Sequence, residues 1–406
     1  MSPPLDPELK YRQPLQQNEI DNKYERNYVP PNITIKELRD VIPPHCFQRS
    51  TLKSMSYLAK DLIAIMILAY GATFIDKYIA SLPLRFLAWS FYWFWCGAFA
   101  TGIWVIGHEC GHQSFSPSKK INNIVGFIFH SALLVPYHSW RISHSKHHKH
   151  TGHITKDQVF VPKTRSRRGI PQSYVAKDAM DDIDDKNNSS LQKGNHSVFE
   201  DTPIFILLNL IGQQLFGFPL YLSLNYSGSE IYDKLWTNHF DPTSPIFDPK
   251  HYGDVIISDI GMIGIFSIIG YSIYKFSLLA VVKYYLIPYL VVNHWLVMIT
   301  FLQHTDPKLP HYRDGKWNFV RGAICTVDRH FGFLDSIFHR ITSTHVAHHF
   351  FSQMPHYHAE EATEHLKKVL GPYYMFDDTP MFKALWRSYS KCKFIEDEGD
   401  IVFYKN

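Results

Sequence analysis

The stretch GHECGHQSF, residues 107–115, contains two histidines four positions apart, directly after a long aromatic and aliphatic run. On an α-helix, positions i and i+4 lie on the same face, so the imidazoles of His108 and His112 can reach one metal ion. This spacing predicts a metal site at the end of a membrane-spanning helix.

Long apolar runs recur along the chain of 406 residues, of which 45% are hydrophobic and 15% are aromatic. A helix needs about 20 apolar residues to cross the hydrocarbon core of a bilayer. Four runs of this length lie at about 60–82, 84–107, 254–275 and 278–302. They predict an all-α integral membrane protein with four transmembrane helices in two hairpins, capped by a cytosolic helical domain.

A further apolar run, at about 203–224, contains Asn209, Gln213 and Gln214, whose side chains are costly to place in lipid. We predict that this run lies at the membrane interface and does not cross. The predicted organisation is a cytosolic N-terminal segment, a transmembrane hairpin, a cytosolic region with interfacial helices, a second hairpin and a cytosolic C-terminal region: 1–50, 51–107, 108–253, 254–302 and 303–406.

Two further histidine groups share the spacing HxxHH, at residues 144–148 and 345–349. On a helix this spacing places three imidazoles on one face. His304 ends the last apolar run, at the same predicted membrane depth as the three groups. The candidate metal ligands are therefore nine histidines: His108, His112, His144, His147, His148, His304, His345, His348 and His349.

The number of these imidazoles exceeds the four ligands of one tetrahedral zinc ion and suits two ions. Imidazole binds iron, copper, nickel and zinc. Because no cysteine or carboxylate cluster accompanies the histidines, a pair of redox irons with open positions for dioxygen is the leading interpretation. The spacing alone also admits zinc or copper.

The net charge of +4 is modest, and the basic residues cluster near the ends of the apolar runs, which argues against a nucleic-acid partner. Five cysteines without a CxxC pair predict neither a disulfide framework nor a thiolate zinc site. Ligands at the ends of the runs argue against a metal transporter, which would carry them in mid-bilayer. The histidine side is predicted to be cytosolic because it holds more basic residues (Lys119, Lys120, Arg141, Lys146, Lys149 and Lys156) than the opposite loop, with Lys77 and Arg85.

Taken together, the motifs resemble the membrane-bound fatty acid desaturases, in particular the delta-12 and omega-3 acyl-lipid branch of fungi and plants. The likeness covers about residues 50–390. The stretches that carry it are GHECGHQSFS (107–116), WRISHSKHHKHTGH (140–153), VNHWLVMITFLQHTDPKLPHY (292–312), WNFVRGA (317–323) and ITSTHVAHHFFSQMPHYHAEEAT (341–363).

This resemblance implies a di-iron enzyme of the endoplasmic reticulum membrane whose iron ligands are the nine histidines. It further implies that dioxygen is a co-substrate and that electrons come from cytochrome b5 and its NADH reductase, because the sequence contains no convincing dinucleotide fingerprint and no haem motif. His150 and His153 extend the second box and leave its ligand register open. The role of His294 and the oligomeric state also stay open.

The implied reaction places a cis double bond in a phospholipid-linked acyl chain. Oleoyl-to-linoleoyl (delta-12) conversion is the primary expectation. An omega-3 (delta-15) desaturase, a bifunctional enzyme and a hydroxylase relative are the alternatives, since all use the same histidine boxes.

Overall fold

The computed structural model describes residues 28–170, 202–232 and 236–406. The described chain is mostly helical, as predicted. Its longer α-helices and the two short helices used below are α1 (Ile35–Asp40), α2 (Thr51–Ala72), α3 (Leu82–Gly111), α4 (Lys119–Ala132), α5 (Tyr137–His150), α6 (Pro203–Leu224), α7 (Tyr252–Phe276), α8 (Leu278–His304), α9 (His345–Phe350), α10 (His356–Leu370) and α11 (Met381–Lys391).

Among the residues that the structure describes, four helices are long and apolar enough to cross a membrane: Thr51–Tyr78, Pro203–Leu224, Pro249–Phe276 and Leu278–His304. Three of them coincide with predicted transmembrane runs. The set also contains α6, which we predicted to be interfacial, and does not contain α3, which we predicted to cross. The difference arises from composition: residues 86–107 carry no charge but include four Trp and three Gly, which are less apolar than the Ile and Leu of α6.

Large apolar side chains cover the outer faces of several helices. In the first half of α3, Leu82 and Phe86 are 76% and 64% exposed, and in α7, Ile263 and Phe266 are 66% and 56% exposed. Continuous apolar faces of this kind are unfavourable in water and are typical of surfaces that contact lipid. The second half of α3 is buried instead, from Cys96 to Cys110 in all but one position.

The turn after α2 contacts the beginning of α8, at the end of the helices opposite His108 and His304. Asp76 lies in this turn and accepts a 2.6 Å hydrogen bond from the ammonium group of Lys283. Lys283 belongs to a π-helical segment of α8, Val282–Leu286, in which the backbone hydrogen bonds are rearranged. Its carbonyl oxygen accepts a 2.9 Å hydrogen bond from the indole of Trp93 in α3.

The helices pack around a central core formed by α3, α6, α8 and α11. At Gly97 the backbones of α3 and α8 approach closely, because a Cβ there would lie 2.5 Å from Cβ of Val291. Small residues at such crossings are common between membrane helices. A second core joins α1, α9 and α10, and thereby fixes the segment before α2 to the C-terminal region.

Four two-residue strands link parts of the C-terminal region. Strand β1 (His311–Tyr312) pairs antiparallel with β4 (Ile401–Val402). Strand β2 (Asp328–Arg329) pairs parallel with β3 (Phe376–Asp377). These pairings hold the chain that follows α8 against the C-terminal tail.

Buried charges fix the end of α8. Asp306 accepts hydrogen bonds from the guanidinium groups of Arg329 at 3.0 Å and Arg387 at 2.7 Å. Both arginines also contact Asp377. Burial opposes ionisation of Asp377, but the charges of Arg329 and Arg387 hold its pKa well below its usual range. The network therefore positions His304, two residues before Asp306, by charge pairing in addition to apolar packing.

Candidate metal centre

The first histidine box lies at the C-terminal end of α3. His108 is in the last turn of the helix, and His112 is the residue that caps it. Their Nε2 atoms are 3.2 Å apart, as the i, i+4 spacing predicts. The helix stops here because Gln113 adopts a left-handed conformation with φ 63°.

The second and third boxes lie on two helices that face the end of α3. The histidines at 144–148 occupy the second half of α5, and those at 345–349 form most of the short helix α9. His304 is the last residue of α8. The four helix segments thus bring all nine predicted histidines to one end of the helical core.

Five of these histidines form a first group, in which one ring nitrogen of each lies within 4.8 Å of the others: His108, His112, His144, His148 and His348. The Nε2 atom of His144 is 3.0 Å from that of His112 and 3.1 Å from that of His148. The Nε2 atom of His348 is 3.2 Å from that of His148.

A second group contains His147, His304 and His349, whose ring nitrogens also lie within 4.8 Å of one another. His345 joins this group, because its Nε2 atom is 2.9 Å from that of His304 and 3.0 Å from that of His349. The two groups adjoin, since the rings of His148 and His349 stack with their centroids 4.1 Å apart.

Burial keeps five of the clustered imidazoles neutral. Removal from water, followed by the influence of neighbouring histidines, lowers the pKa well below the usual value for His144, His148, His345, His348 and His349. A neutral imidazole offers a nitrogen lone pair, which is the form that binds a metal ion.

Two polar side chains hydrogen-bond to the histidines from behind and a third, Glu109, lies close to His108 without a hydrogen bond to it; the histidine spacing did not reveal them. Asp157 accepts a 2.6 Å hydrogen bond from Nδ1 of His147, and the hydroxyl of Thr151 lies 3.1 Å from Nδ1 of His349. A carboxylate oxygen of Glu109 is 3.4 Å from Nδ1 of His108. Only Glu109 had a signal in the sequence, as the acidic residue inside the first box.

Glu109 is itself held from two directions. It accepts a 2.8 Å hydrogen bond from the Ser114 hydroxyl and a 3.1 Å bond from the backbone amide of His356, at the start of α10. Glu109 is 1% exposed, so these bonds replace the water that its carboxylate would otherwise need.

A cavity of about 390 Å³ opens beside both groups and is lined by His108, His144, His147, His304 and His345. Ligand pockets typically enclose about 300–1,000 Å³. Beyond the histidines the wall is largely apolar, with side chains from α3, α6 and α8 that include Trp104, Val105, Leu208, Phe218, Leu296 and Val297. The arrangement places a largely apolar cavity next to the histidines.

Comparison with known proteins agrees with this geometry. The sequence model of the fatty acid desaturase family matches residues 87–379. The chain belongs to the fatty acid desaturase family. It is 57% identical to a Delta(12) fatty acid desaturase of Mortierella isabellina and to one of Mortierella alpina, over 94% of this chain and 93% of each relative. It is 41% identical to an oleate hydroxylase of Claviceps purpurea, over 94% of this chain and 83% of that protein.

The histidines of this desaturase fit the two metal ions that its family implies. Nitrogen atoms about 2.1 Å from one ion and about 90° apart at that ion are about 3.0 Å from one another. The Nε2 separations of 2.9–3.2 Å within the two groups match this value. Where Asp157 accepts from Nδ1 of His147, the Nε2 lone pair points away from that carboxylate. The Nε2 atoms of each group converge, and lone pairs that converge in this way repel one another unless a cation lies among them.

The remaining histidines singled out from the desaturase sequence lie outside both groups. Nδ1 of His150 is 3.0 Å from the carbonyl oxygen of Lys146, and Nε2 of His153 is 3.1 Å from Asp314. The ring of His294 packs against Trp295, with centroids 4.7 Å apart. The geometry therefore assigns His144, His147 and His148 to the cluster without a shift of register.

Proposed function

We propose that this desaturase places a cis double bond at the delta-12 position of an oleoyl chain carried by a phospholipid, with two irons and dioxygen. The observation that carries the proposal is that both histidine groups line the same apolar cavity. An acyl chain in this cavity presents its methylene groups to both metal positions. The relatives named Delta(12) fatty acid desaturase support the position of the double bond.

The chemistry requires an oxidant, because the hydrogens of an unactivated methylene are not acidic. The overall reaction removes two hydrogen atoms from neighbouring carbons and reduces dioxygen to two waters, with two electrons and two protons from outside. When bound, the irons supply the oxidising power for hydrogen removal. We assign one iron to the first group. We assign the other iron to His147, His304, His345 and His349.

The protein itself contributes position and exclusion of water. Trp140 stacks on His144 with centroids 4.5 Å apart, and Trp104 packs beside His108 at 5.8 Å. These indoles separate the histidines from the surrounding helices and give the acyl chain an apolar wall. A water-excluding wall also protects a strong oxidant from side reactions.

A hydroxylase is the second candidate, because a relative with 41% identity is named an oleate hydroxylase. Hydroxylation and desaturation share the first hydrogen removal and diverge afterwards. An omega-3 desaturase would use the same cavity with the chain shifted along it.

Expression in a yeast that makes oleate but no polyunsaturated lipids tests these candidates. We expect a new 18:2 fatty acid, with double bonds at positions 9 and 12, formed from endogenous oleate and measured by gas chromatography. A hydroxylated product in its place would establish the second candidate. Product that forms only when linoleate is supplied, as 18:3, would establish the omega-3 reaction.

Two glycine substitutions form a matched control for the cavity. A Cβ added at Gly212 or Gly270 meets no atom within 4 Å, but only Gly212 lines the cavity. A single methylene in an apolar pocket changes enzyme specificity by about 10–200-fold, so Gly212→Trp is expected to lower 18:2 formation at least about tenfold. Gly270→Trp is expected to preserve it.

We further propose that the helices form two transmembrane hairpins in the endoplasmic reticulum membrane, with the histidines on the cytosolic side. The chain before and after α6 supports this topology. Arg165 pairs with Glu396 at 2.6 Å, and the Ser229 hydroxyl donates to the carbonyl oxygen of Thr155 at 2.5 Å. Residues 165 and 229 therefore lie on the same side of the membrane, so α6 does not make a lone crossing.

The electron donor is proposed to be cytochrome b5, reduced by its NADH reductase. An acidic donor suits a basic cytosolic face. Lys146 and Lys149 are two of the basic residues on the predicted cytosolic side. The ammonium group of Lys146 donates to the carbonyl oxygen of Ile246 at 2.7 Å, so it is already engaged within the protein. Lys149 is exposed and is the better candidate for contact with the donor.

Sealed microsomes test the donor and the topology together. NADH does not cross membranes, so NADH added outside is expected to support full desaturation, without a further increase when the vesicles are permeabilised. Antibodies against cytochrome b5 are expected to inhibit the reaction. Activity that requires permeabilisation would contradict a cytosolic path of electrons from NADH through cytochrome b5 to the histidines, and activity that is insensitive to the antibodies would exclude this donor.

A further inference from the structure

A second cluster of metal-ligand side chains lies away from the nine histidines. It combines two neighbouring residues of a 3₁₀ turn, Pro44–Phe47, with two residues of α10 that are three positions apart and face the turn. We call it the His45 cluster, and its members are His45, Cys46, His358 and Glu361. The sequence predicted no thiolate zinc site, because the cluster joins segments more than 300 residues apart and contains no CxxC pair.

The ligand atoms of the His45 cluster converge. One nitrogen, sulfur or carboxylate oxygen from each residue lies within 4.8 Å of the others. Nε2 of His45 is 2.9 Å from a carboxylate oxygen of Glu361 and 3.7 Å from Sγ of Cys46. In a tetrahedral zinc site with bonds of about 2.3 Å to sulfur and 2.0–2.1 Å to nitrogen, sulfur and nitrogen ligands are about 3.6 Å apart. The observed positions thus need only small side-chain movements to bind an ion.

The chemistry of the cluster distinguishes it from the nine-histidine centre. One thiol, two imidazoles and one carboxylate form a four-ligand set that suits zinc, whereas calcium and magnesium require oxygen ligands. Cys46 is fully buried, but the side chains of His45 and Glu361 are 50% and 46% exposed. An ion can therefore enter from solvent and reach a sulfur atom that is otherwise covered.

We propose that the His45 cluster binds one zinc ion, with the Cys46 thiolate, the carboxylate and the two imidazoles as ligands. Binding releases the thiol proton to solvent and fixes the segment before α2 to the first turns of α10. The same part of α10 supplies the His356 amide that holds Glu109 behind His108. Zinc in the cluster therefore stabilises the frame of the catalytic site without touching substrate.

Cobalt(II) is the probe for this proposal, because a thiolate bound to cobalt gives a sulfur-to-metal charge-transfer band in the near ultraviolet. The nine histidines cannot give this band, since they include no sulfur. Full-length protein in detergent, depleted of metal and saturated with cobalt(II), is expected to show the band at the intensity of one cobalt-thiolate site per chain. Zinc is expected to remove the band by displacement and to raise the melting temperature of the wild type by several degrees.

Variants separate the cluster from the rest of the protein. Glu361→Gln and His358→Ala are expected to weaken cobalt binding at least about tenfold. Loss of a hydrogen-bond partner behind a metal ligand already lowers affinity about 10–100-fold, and these variants change the ligands themselves. Glu364→Gln, an exposed acid on the same helix, and Cys392→Ser are the matched controls and are expected to keep the band. His348→Ala is also expected to keep it, so failure of the di-iron proposal and failure of this one are distinguishable.

Two results would overturn the zinc proposal. One is the absence of a charge-transfer band in folded wild-type protein. The other is a band that keeps its strength and cobalt affinity in both Glu361→Gln and His358→Ala, whichever cysteine it arises from. Because Cys46 is buried and Cys46→Ser can unfold the protein, the decision rests on the two α10 variants, whose side chains are partly exposed.

Discussion

Replacement of His348 by alanine is expected to abolish 18:2 formation while the protein remains inserted in the membrane. His348 belongs to the five-histidine group and is 5% exposed, with its Nε2 atom 3.2 Å from that of His148. No solvent-exposed side chain can replace a ligand at this depth. Iron analysis of the purified variant is expected to show weakened iron binding in the first group, which loses one of its five histidines, and unchanged binding in the second group, which keeps all four.

His150→Ala is the matched control, because His150 lies in the second box but outside both groups. It is expected to retain two irons and most of the activity. The di-iron interpretation fails if the wild-type protein contains a single zinc and no iron, or if His348→Ala keeps the activity of the wild type.

The sequence predicted which histidines lie close together, but not how they are distributed between the two groups. His147 and His148 are neighbours on α5, and adjacent helical residues point about 100° apart. One consequently joins His304 and the other joins His348. The spacing HxxHH cannot predict this division, because it depends on how α5 and α9 are rotated against each other, which distant packing contacts decide.

The polar residues of α6 show a related limit. Asn209 and Gln213 suggested a helix at the membrane interface because amides are costly in lipid. In the structure both line the cavity beside the histidines, so they avoid lipid by facing inward. A single sequence cannot separate these two ways of removing an amide from lipid, since the cavity forms only when α6 packs against α8.

Asp157 was missed for the same physical reason. It follows the second box in a turn, and nothing in its spacing marks it as different from other acidic residues. Its backbone turn brings one carboxylate oxygen to His147, and the other accepts a 3.0 Å bond from the amide of Gly152. Asp157 therefore fixes which nitrogen of His147 carries the proton and which is free to bind metal.

Asp157→Asn is expected to lower desaturase activity about 10–100-fold, the usual cost of losing a partner behind a metal-bound histidine. The neutral amide lacks the negative charge that makes His147 a stronger ligand. An amide nitrogen in place of Oδ2 would also face the Gly152 N–H, so two hydrogen-bond donors would meet there. Product formation in microsomes and iron content per chain measure the effect. We expect the iron of the second group to be lost more readily than that of the first.

A second pair of a histidine and an aspartate provides the control for this test. His153 and Asp314 form a similar pair at 3.1 Å, but outside both groups, and the Asp314 side chain is 71% exposed. Asp314→Asn is expected to leave activity and iron content unchanged. If Asp157 acts by positioning His147, added iron restores part of the activity of Asp157→Asn, because weaker binding is offset by mass action. A variant that keeps both irons and full activity would show that the His147 imidazole needs no carboxylate behind it.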